Sequence, residues 1–145
     1  MKKIFLLILL VPLGSCEIEL AKINYGKDSC QFCSMNIVDA RHAAQLVTDK
    51  GKQFKYDAIE CMVLDLKRKE DVSIGLLAVG DYSNPGELID AFQATFLISE
   101  EIPSPMGANL SAFVHKDSAE KLIDQHGGKL YSWKEIVEYI EKQNK

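Results

Sequence analysis

The sequence is poor in histidine and carries no extended basic run. Only 3 of the 145 residues are His, and no stretch of Arg and Lys interleaved with aromatic residues occurs. A basic patch of that kind is the usual footprint of a nucleic-acid-binding protein, so nucleic acid is not an expected partner. A catalytic triad, a Gly-rich phosphate-binding loop and a paired-carboxylate signature are also missing. The sequence therefore does not predict an enzyme of these classes.

The N-terminal apolar run is too short to span a bilayer, which needs ~20 apolar residues. Residues 4–13 are almost wholly apolar, follow the basic start Met1-Lys2-Lys3, and lead through small residues to Cys16. This order predicts a secretory signal over residues 1–15. Its ending resembles a bacterial lipobox, which implies that Cys16 receives a lipid; an ordinary cleaved signal that leaves Cys16 free is the alternative.

The compartment and charge of the mature chain follow from this signal. We expect an exported protein, lipid-anchored to a bacterial cell membrane and facing the periplasm. An inner-membrane retention signal more often has Asp directly after the lipidated cysteine. Glu17 occupies that position here, which is compatible with sorting to the outer membrane.

After loss of Lys2 and Lys3, the mature chain has 15 Lys and Arg against 21 Asp and Glu, a net charge of −6. Three cysteines remain after lipidation, so complete pairing within one chain is impossible.

Two thiols and a thioether lie within six residues, at Cys30, Cys33 and Met35. A third thiol follows at Cys61, and Met106 lies in a Pro- and Gly-rich segment where a core methionine is unexpected. Thiolate and thioether are soft ligands that favour Cu(I) over hard cations such as Mg or Ca. A mixed site of this kind can hold copper and still release it to a partner, which indicates metal handling.

Other interpretations of these residues remain open. Cys30 and Cys33 have the spacing of a reversible disulfide, which predicts a thiol-disulfide oxidoreductase as the alternative function. A zinc ribbon is not expected, because it requires a second ligand pair at suitable spacing. Cys61 is either a ligand near a helix N-terminus or a small buried hydrophobe. His42 is either a nitrogen ligand or a structural residue.

Hydrophobic periodicity predicts short strands that alternate with helices. We predict strands over residues 43–47, 53–56, 73–79, 92–98, 111–115 and 129–131, and helices from 57 to about 69, from 117 to the Gly pair at 127–128, and from 132 onward. Asp57 with Glu60, and Asp117 with Glu120, have the spacing of capping boxes at the starts of the first two helices.

The two halves of this pattern repeat the order strand, strand, helix, strand. The expected fold class is α+β, with two small tandem ββαβ units and a C-terminal helix. We place a lipidated tether at 16–27, the first unit at 28–82 and the second at 86–145. One hairpin differs: the segment 100–109 is much longer than the ~2 to 5 residues usual in hairpins, and such loops tend to carry function.

Several short motifs occur in a fixed order along nearly the whole mature chain: Cys33-Ser34-Met35, Ala43-Ala44-Gln45, Phe54-Lys55-Tyr56-Asp57 before Cys61, and Pro105-Met106-Gly107. Together with the lipobox they resemble the NosL family, lipid-anchored copper chaperones associated with maturation of nitrous oxide reductase. The resemblance implies two similar ββαβ units, binding of Cu(I), and its delivery to the reductase copper centre or to a membrane maturation complex. A metallochaperone of this kind is not an enzyme.

The expected copper ligands are Cys33, Met35 and Met106, with Cys30 as a participant and Cys61 as a further candidate. This requires the long second loop to fold over the first unit. The sequence departs from the family pattern at three positions: Ser34 replaces Gly, Tyr56 replaces Phe, and His42 replaces a common aromatic residue. Ser34 leaves the sulfur ligands in place but alters the loop backbone, since Gly alone tolerates positive φ freely.

Overall fold

The computed structural model describes residues 18–144, so the predicted signal at 1–15 and the anchor at Cys16 lie outside the described part of the chain. None of the helices within 18–144 combines the length and apolar character needed to cross a bilayer.

Along the described residues the chain forms strands and helices in the order β1 (Ala44–Thr48), β2 (Gln53–Tyr56), α1 (Ile59–Lys67), β3 (Ile74–Gly80), β4 (Leu88–Asp90), β5 (Thr95–Ile98), β6 (Leu110–Phe113), α2 (Lys116–His126), β7 (Lys129–Tyr131) and α3 (Trp133–Gln143). The alternation of β-branched and aromatic stretches with amphipathic ones produces this mixture, and the predicted α+β class is confirmed.

The strands form two antiparallel sheets with the same arrangement. The first has the order β2-β1-β3-β4, and the second has the order β6-β5-β7. In each sheet the first strand of its unit is central, with the second strand on one side and the strand that follows the helix on the other. The predicted repetition of ββαβ units is therefore present in the topology.

One strand was not predicted, and two were predicted too long. The strand predicted over 111–115 ends at Phe113. β4 is a three-residue edge strand that pairs with β3 and extends the first sheet. The predicted strand over 92–98 is observed only as Thr95–Ile98, because Phe92 lies in a turn in which its N–H donates to Asp90 Oδ1 at 2.8 Å. A strand as short as β4 has too few residues for a recognisable alternation.

Part of the predicted tether packs against the first sheet. Ile23 is buried, and Gln45 of β1 exchanges two hydrogen bonds with the backbone of Ala21, at 3.0 and 3.1 Å. The amide of a buried Gln needs such partners. Ala21 and Ile23 therefore pack on the first unit, while the predicted domain boundaries stay predictions.

The predicted capping boxes of α1 and α2 are wrong, whereas α3 begins as expected. The N-cap residues of α1 and α2 are Ala58 and His115, and neither makes a side-chain cap hydrogen bond. Ser132 does form a reciprocal capping box with Glu135 at the start of α3. The acidic side chains predicted to cap α1 are used in tertiary contacts, described below.

One hydrophobic core joins the two units. Ile59 of α1, Phe96 of β5, Leu110 of β6 and Ile136 of α3 belong to the same buried cluster. A smaller cluster lies beneath α2. Because the units share their main core, the β5–β6 loop of the second unit lies beside the first turn of α1, as the copper-site hypothesis requires.

Candidate metal centre

A compact hairpin-like turn carries the first two thiols. Cys30 N–H donates to Met35 O at 2.7 Å, and Ser34 N–H donates to Cys30 O at 2.9 Å. The turn is fastened to β2 by a hydrogen bond from Gln31 N–H to Lys55 O at 2.8 Å. These bonds hold Cys33 at the tip and Cys30 at the base, facing the core.

The third thiol reaches this turn from helix α1. The Sγ atoms of Cys30, Cys33 and Cys61 all lie within 4.8 Å of one another. Cys30 is 2% exposed and Cys61 1% exposed, whereas Cys33 is partly accessible. Three thiols this close, with one edge open, form a group of donors able to surround a soft metal ion.

Hydrogen bonding favours ionisation of one thiol in this cluster. The pKa of Cys30 is lowered to about 5, chiefly because the Cys61 thiol donates a hydrogen bond to it. Burial acts in the opposite direction, but backbone N–H groups of Cys33, Asp57 and Phe32 also donate to the Cys30 sulfur. The thiolate at Cys30 is thus stabilised by four converging donors.

The other two thiols are favoured in their protonated forms. The pKa of Cys61 is raised, first by its hydrogen bond to Cys30 and then by burial. The pKa of Cys33 is also raised, with burial as the largest cause. The arrangement thus favours a thiolate at Cys30 over one at either neighbour, and a bound soft cation would displace the remaining thiol protons.

Both thioethers lie at the surface near the thiols. Met35, two residues after Cys33 on the same turn, is 53% exposed, and Met106 is 41% exposed. Met106 lies in the β5–β6 loop and lines, together with Cys61, a cavity of about 400 Å³. The long loop does fold over the first unit. Two of the three clustered thiols, Cys30 and Cys61, are buried, whereas both methionines are exposed.

Ser34 adopts a backbone conformation that Gly tolerates freely, so the alteration of the loop backbone expected from its replacement of Gly is not observed. Its φ is 65°, in the left-handed region, and within the described chain only Asn109 shares a positive φ among residues other than Gly. The turn between Cys33 and Met35 therefore keeps a glycine-like shape without glycine. The other departure, Tyr56, donates a hydrogen bond to Asp65 at 2.8 Å in the core.

His42 is a structural residue in this arrangement. It is fully buried, its Nδ1 lies 3.1 Å from Asp39 Oδ2, and its Nε2 lies 3.2 Å from Ser111 Oγ. Since both ring nitrogens have hydrogen-bond partners, neither is free to bind a metal ion. Tyr82 covers the ring edge-on, with ring centroids 5.7 Å apart.

Sequence reasoning missed the part that Glu60 plays. Its carboxylate, expected to cap α1, instead accepts hydrogen bonds from Ser104 and Ala108 of the Met106 loop. Asp57, its expected partner in the cap, accepts from Val38 N–H at 3.4 Å. The only sequence signal was an acidic residue directly before Cys61, and its burial could not be foreseen.

Known proteins are similar to this chain in sequence and in architecture. The family model described as NosL matches residues 22–140. The copper-binding lipoprotein NosL of Stutzerimonas stutzeri is 27% identical over 120 residues, which cover 77% of this chain and 63% of that protein. The chain thus spans about 63% of the length of this curated relative.

A solved structure supports the same assignment at the level of the fold. The copper chaperone NosL from Shewanella denitrificans superposes with a TM-score of 0.68 at 23% identity, covering 82% of this chain and 96% of that one. This likeness shows a common architecture. With the family match extending over residues 22–140, the chain belongs to the NosL family.

Proposed function

We propose that this chain is a lipid-anchored metallochaperone that binds Cu(I) and delivers it to the copper centre of nitrous oxide reductase or to the membrane complex that matures it. The observation that carries the proposal is the convergence of three Sγ atoms, from two separate segments, within 4.8 Å. The similar proteins are named as a copper-binding lipoprotein and a copper chaperone. Copper is a cargo here, so the activity is transfer rather than catalysis.

The proposed ligands are the thiols of Cys30, Cys33 and Cys61 and the thioethers of Met35 and Met106. Cu(I) is a soft ion for which thiolate and thioether are suitable donors. The exposure of both methionines supports a role in capture and release, while the thiols supply the stronger bonds. Charge also fits, since an acidic mature chain attracts a cation.

The test is an anaerobic Cu(I) titration of the reduced chain beginning after Cys16, against a chromophoric competing ligand. We expect tight binding that weakens in Met106→Leu. Met62→Leu is the matched control, because Met62 is a fully buried core residue of α1 and this exchange conserves volume. Failure of the wild-type chain to compete for Cu(I) would exclude the copper proposal.

The anchor and the recipient require separate tests. Replacing Cys16 with Ser should move the protein from the membrane fraction to the soluble periplasmic fraction, and unchanged membrane association would exclude lipidation. Copper-loaded protein mixed with copper-free nitrous oxide reductase should restore reductase activity. Free Cu(I) buffered at the same activity is the control, and equal restoration by both would argue against directed delivery.

The low pKa of Cys30 favours one alternative, a thiol-disulfide oxidoreductase that uses Cys30 and Cys33. The burial of Cys30 argues against it, because a disulfide substrate must reach the attacking sulfur. Reduction of a model disulfide substrate by the reduced chain, abolished in Cys30→Ser but unaffected in Met106→Leu, would support this alternative.

A further inference from the structure

Glu60 is a buried carboxylate that connects the first turn of α1 to the Met106 loop. It is 4% exposed and directly precedes Cys61 in the chain. Its Oε1 accepts a hydrogen bond from Ser104 Oγ at 2.6 Å and one from Ala108 N–H at 3.3 Å. A single carboxylate oxygen therefore holds two points of a loop more than forty residues away in sequence.

The two hydrogen bonds bracket Met106 symmetrically. Ser104 and Ala108 lie two residues before and two residues after it. Between them, Gly107 N–H donates to Ser104 O at 3.0 Å and closes a tight turn, in which Gly107 has a φ of +82°. Since both ends of the turn are fixed to Glu60, the position of the Met106 side chain depends on that carboxylate.

Local packing does not explain the burial of the second carboxylate oxygen of Glu60. Within the described part of the chain, Glu60 Oε2 is buried and has no hydrogen-bond partner. A buried acceptor without a partner is destabilising, so fold stability alone does not explain why this carboxylate lies here. Glu60, Cys61 and Met106 line the same cavity, which puts this carboxylate beside the candidate copper ligands.

We propose that Glu60 is a positioning residue for copper binding, which holds Met106 in place relative to the helix that carries Cys61. This inference rests on the proposed function, since it assigns to Glu60 the placement of one of the proposed copper ligands. Groups that orient a metal ligand commonly contribute ~10 to 100-fold to metal affinity. Glu60 would make this contribution without contacting the metal.

The main test is a double-mutant cycle on Cu(I) affinity with Glu60→Ala, Met106→Leu and the double variant. We expect each single change to weaken binding by a similar factor, ~10 to 100-fold, and the double change to weaken it no further. Glu60→Gln keeps an acceptor oxygen for Ser104 and Ala108 and should recover most of the affinity. Effects of the two single changes that multiply in the double variant would overturn the inference.

A matched control separates positioning from charge. Glu100 is an exposed acidic residue that lines the same cavity. Glu100→Ala removes the same charge without an effect on the two loop hydrogen bonds, and we expect a change of no more than about twofold. A loss in Glu100→Ala equal to that in Glu60→Ala, without recovery in Glu60→Gln, would make the effect electrostatic and overturn the positioning role.

A copper-free measurement keeps the two proposals distinguishable. Amide hydrogen exchange at Ala108 should accelerate in Glu60→Ala and return towards the wild-type rate in Glu60→Gln; unchanged exchange would overturn the inference. Ser104→Ala, which removes one of the two donors, replaces Glu60→Ala if that variant does not fold.

If the wild-type chain binds no Cu(I), the proposed function fails and this inference fails with it. If it binds Cu(I) but Glu60 and Met106 act independently, only this inference fails.

Discussion

His42 Nε2 lies 3.2 Å from Ser111 Oγ and joins the two ββαβ units through a contact between residues 69 positions apart. The other ring nitrogen pairs with Asp39, whose pKa is held low by hydrogen bonds from Arg41 that outweigh the opposing effect of burial. The histidine that could have completed a copper site is thus part of the junction between the units.

We expect His42→Ala to lower the free energy of unfolding by about 2–4 kcal/mol, because it leaves a cavity and removes both ring hydrogen bonds. Chemical denaturation monitored by Trp133 fluorescence would measure this loss. His115→Ala is the control, since His115 is exposed and such surface changes usually stay within about 0.5 kcal/mol. Folded His42→Ala should keep the wild-type Cu(I) affinity, and a selective loss of affinity would instead make His42 a ligand.

Cys61→Ser tests whether the helix thiol is a ligand or a small hydrophobe. We expect Cu(I) binding to weaken by more than about tenfold, equivalent to about 1.4 kcal/mol, because a hydroxyl is a poor donor to a soft ion. A competition titration on protein verified as folded by circular dichroism would show this. Cys61→Ala removes the donor but keeps an apolar side chain, so it should reduce affinity to the same extent. Retention of affinity in both variants would leave Cys61 with packing as its only role.

Ser34→Gly should stabilise the fold, because a non-glycine residue at a φ of 65° carries strain. The expected gain is about 0.5–1 kcal/mol after the greater flexibility of glycine in the unfolded chain is included. Thermal unfolding of the copper-free protein measures it. Gln31→Gly, in the same turn but without a positive φ, should be destabilising. A loss of stability in Ser34→Gly would contradict the strain argument.

The stability of the copper-free, reduced protein should depend on pH through the thiol cluster. In the folded protein the pKa of Cys30 is about 5, whereas a thiol in the unfolded chain has a pKa of about 8.5. Between these two pH values Cys30 is ionised in the folded chain and protonated in the unfolded chain. The unfolded chain therefore binds more protons between about pH 5 and 8.5, so stability should rise across that window. Above it the raised pKa values of Cys33 and Cys61 reverse the slope, because the folded chain retains protons that the unfolded chain loses.

The measurement is the unfolding midpoint across this pH range for the wild-type chain and for Cys30→Ser. Groups distant from the cluster titrate alike in both proteins and cancel in the difference between the two curves. Cys33 and Cys61 interact with Cys30, but both stay protonated below about pH 8.5 because their pKa values are raised, in part by burial, so within that window the difference reports mainly on Cys30. We expect that difference to grow with pH up to about 8.5. Parallel curves would show that Cys30 has an ordinary pKa in the folded protein.

The sequence predicted those features that depend on local pattern. Strand β2 and the Gly-terminated end of α2 were placed correctly, since alternation and Gly signals are properties of neighbouring residues. The repeated ββαβ order followed from the same signals. That Cys30, Cys33 and Met35 lie in one short segment follows directly from their spacing along the chain.

The features that could not be predicted from the sequence depend on contacts between distant segments. The spacing of Asp57 and Glu60 predicted a capping box, but Val38 and the Met106 loop bind these carboxylates instead. In the same way, the arrival of Cys61 beside Cys30 depends on how α1 packs across the first sheet. Tertiary partners outcompete local ones when burial makes an unsatisfied group costly.

For the proposed copper transfer, the placement of the sulfur atoms in an inner and an outer layer determines the expected kinetics. Cys30 and Cys61 are buried, whereas Cys33, Met35 and Met106 reach solvent. If all five are ligands, as proposed, a recipient can displace the outer donors one at a time before the inner thiols release the ion. Exchange by this route is associative, so its rate should rise in proportion to the concentration of the recipient, while spontaneous loss of copper to water stays slow. The burial of two thiols would then keep the ion from escaping between donor and recipient.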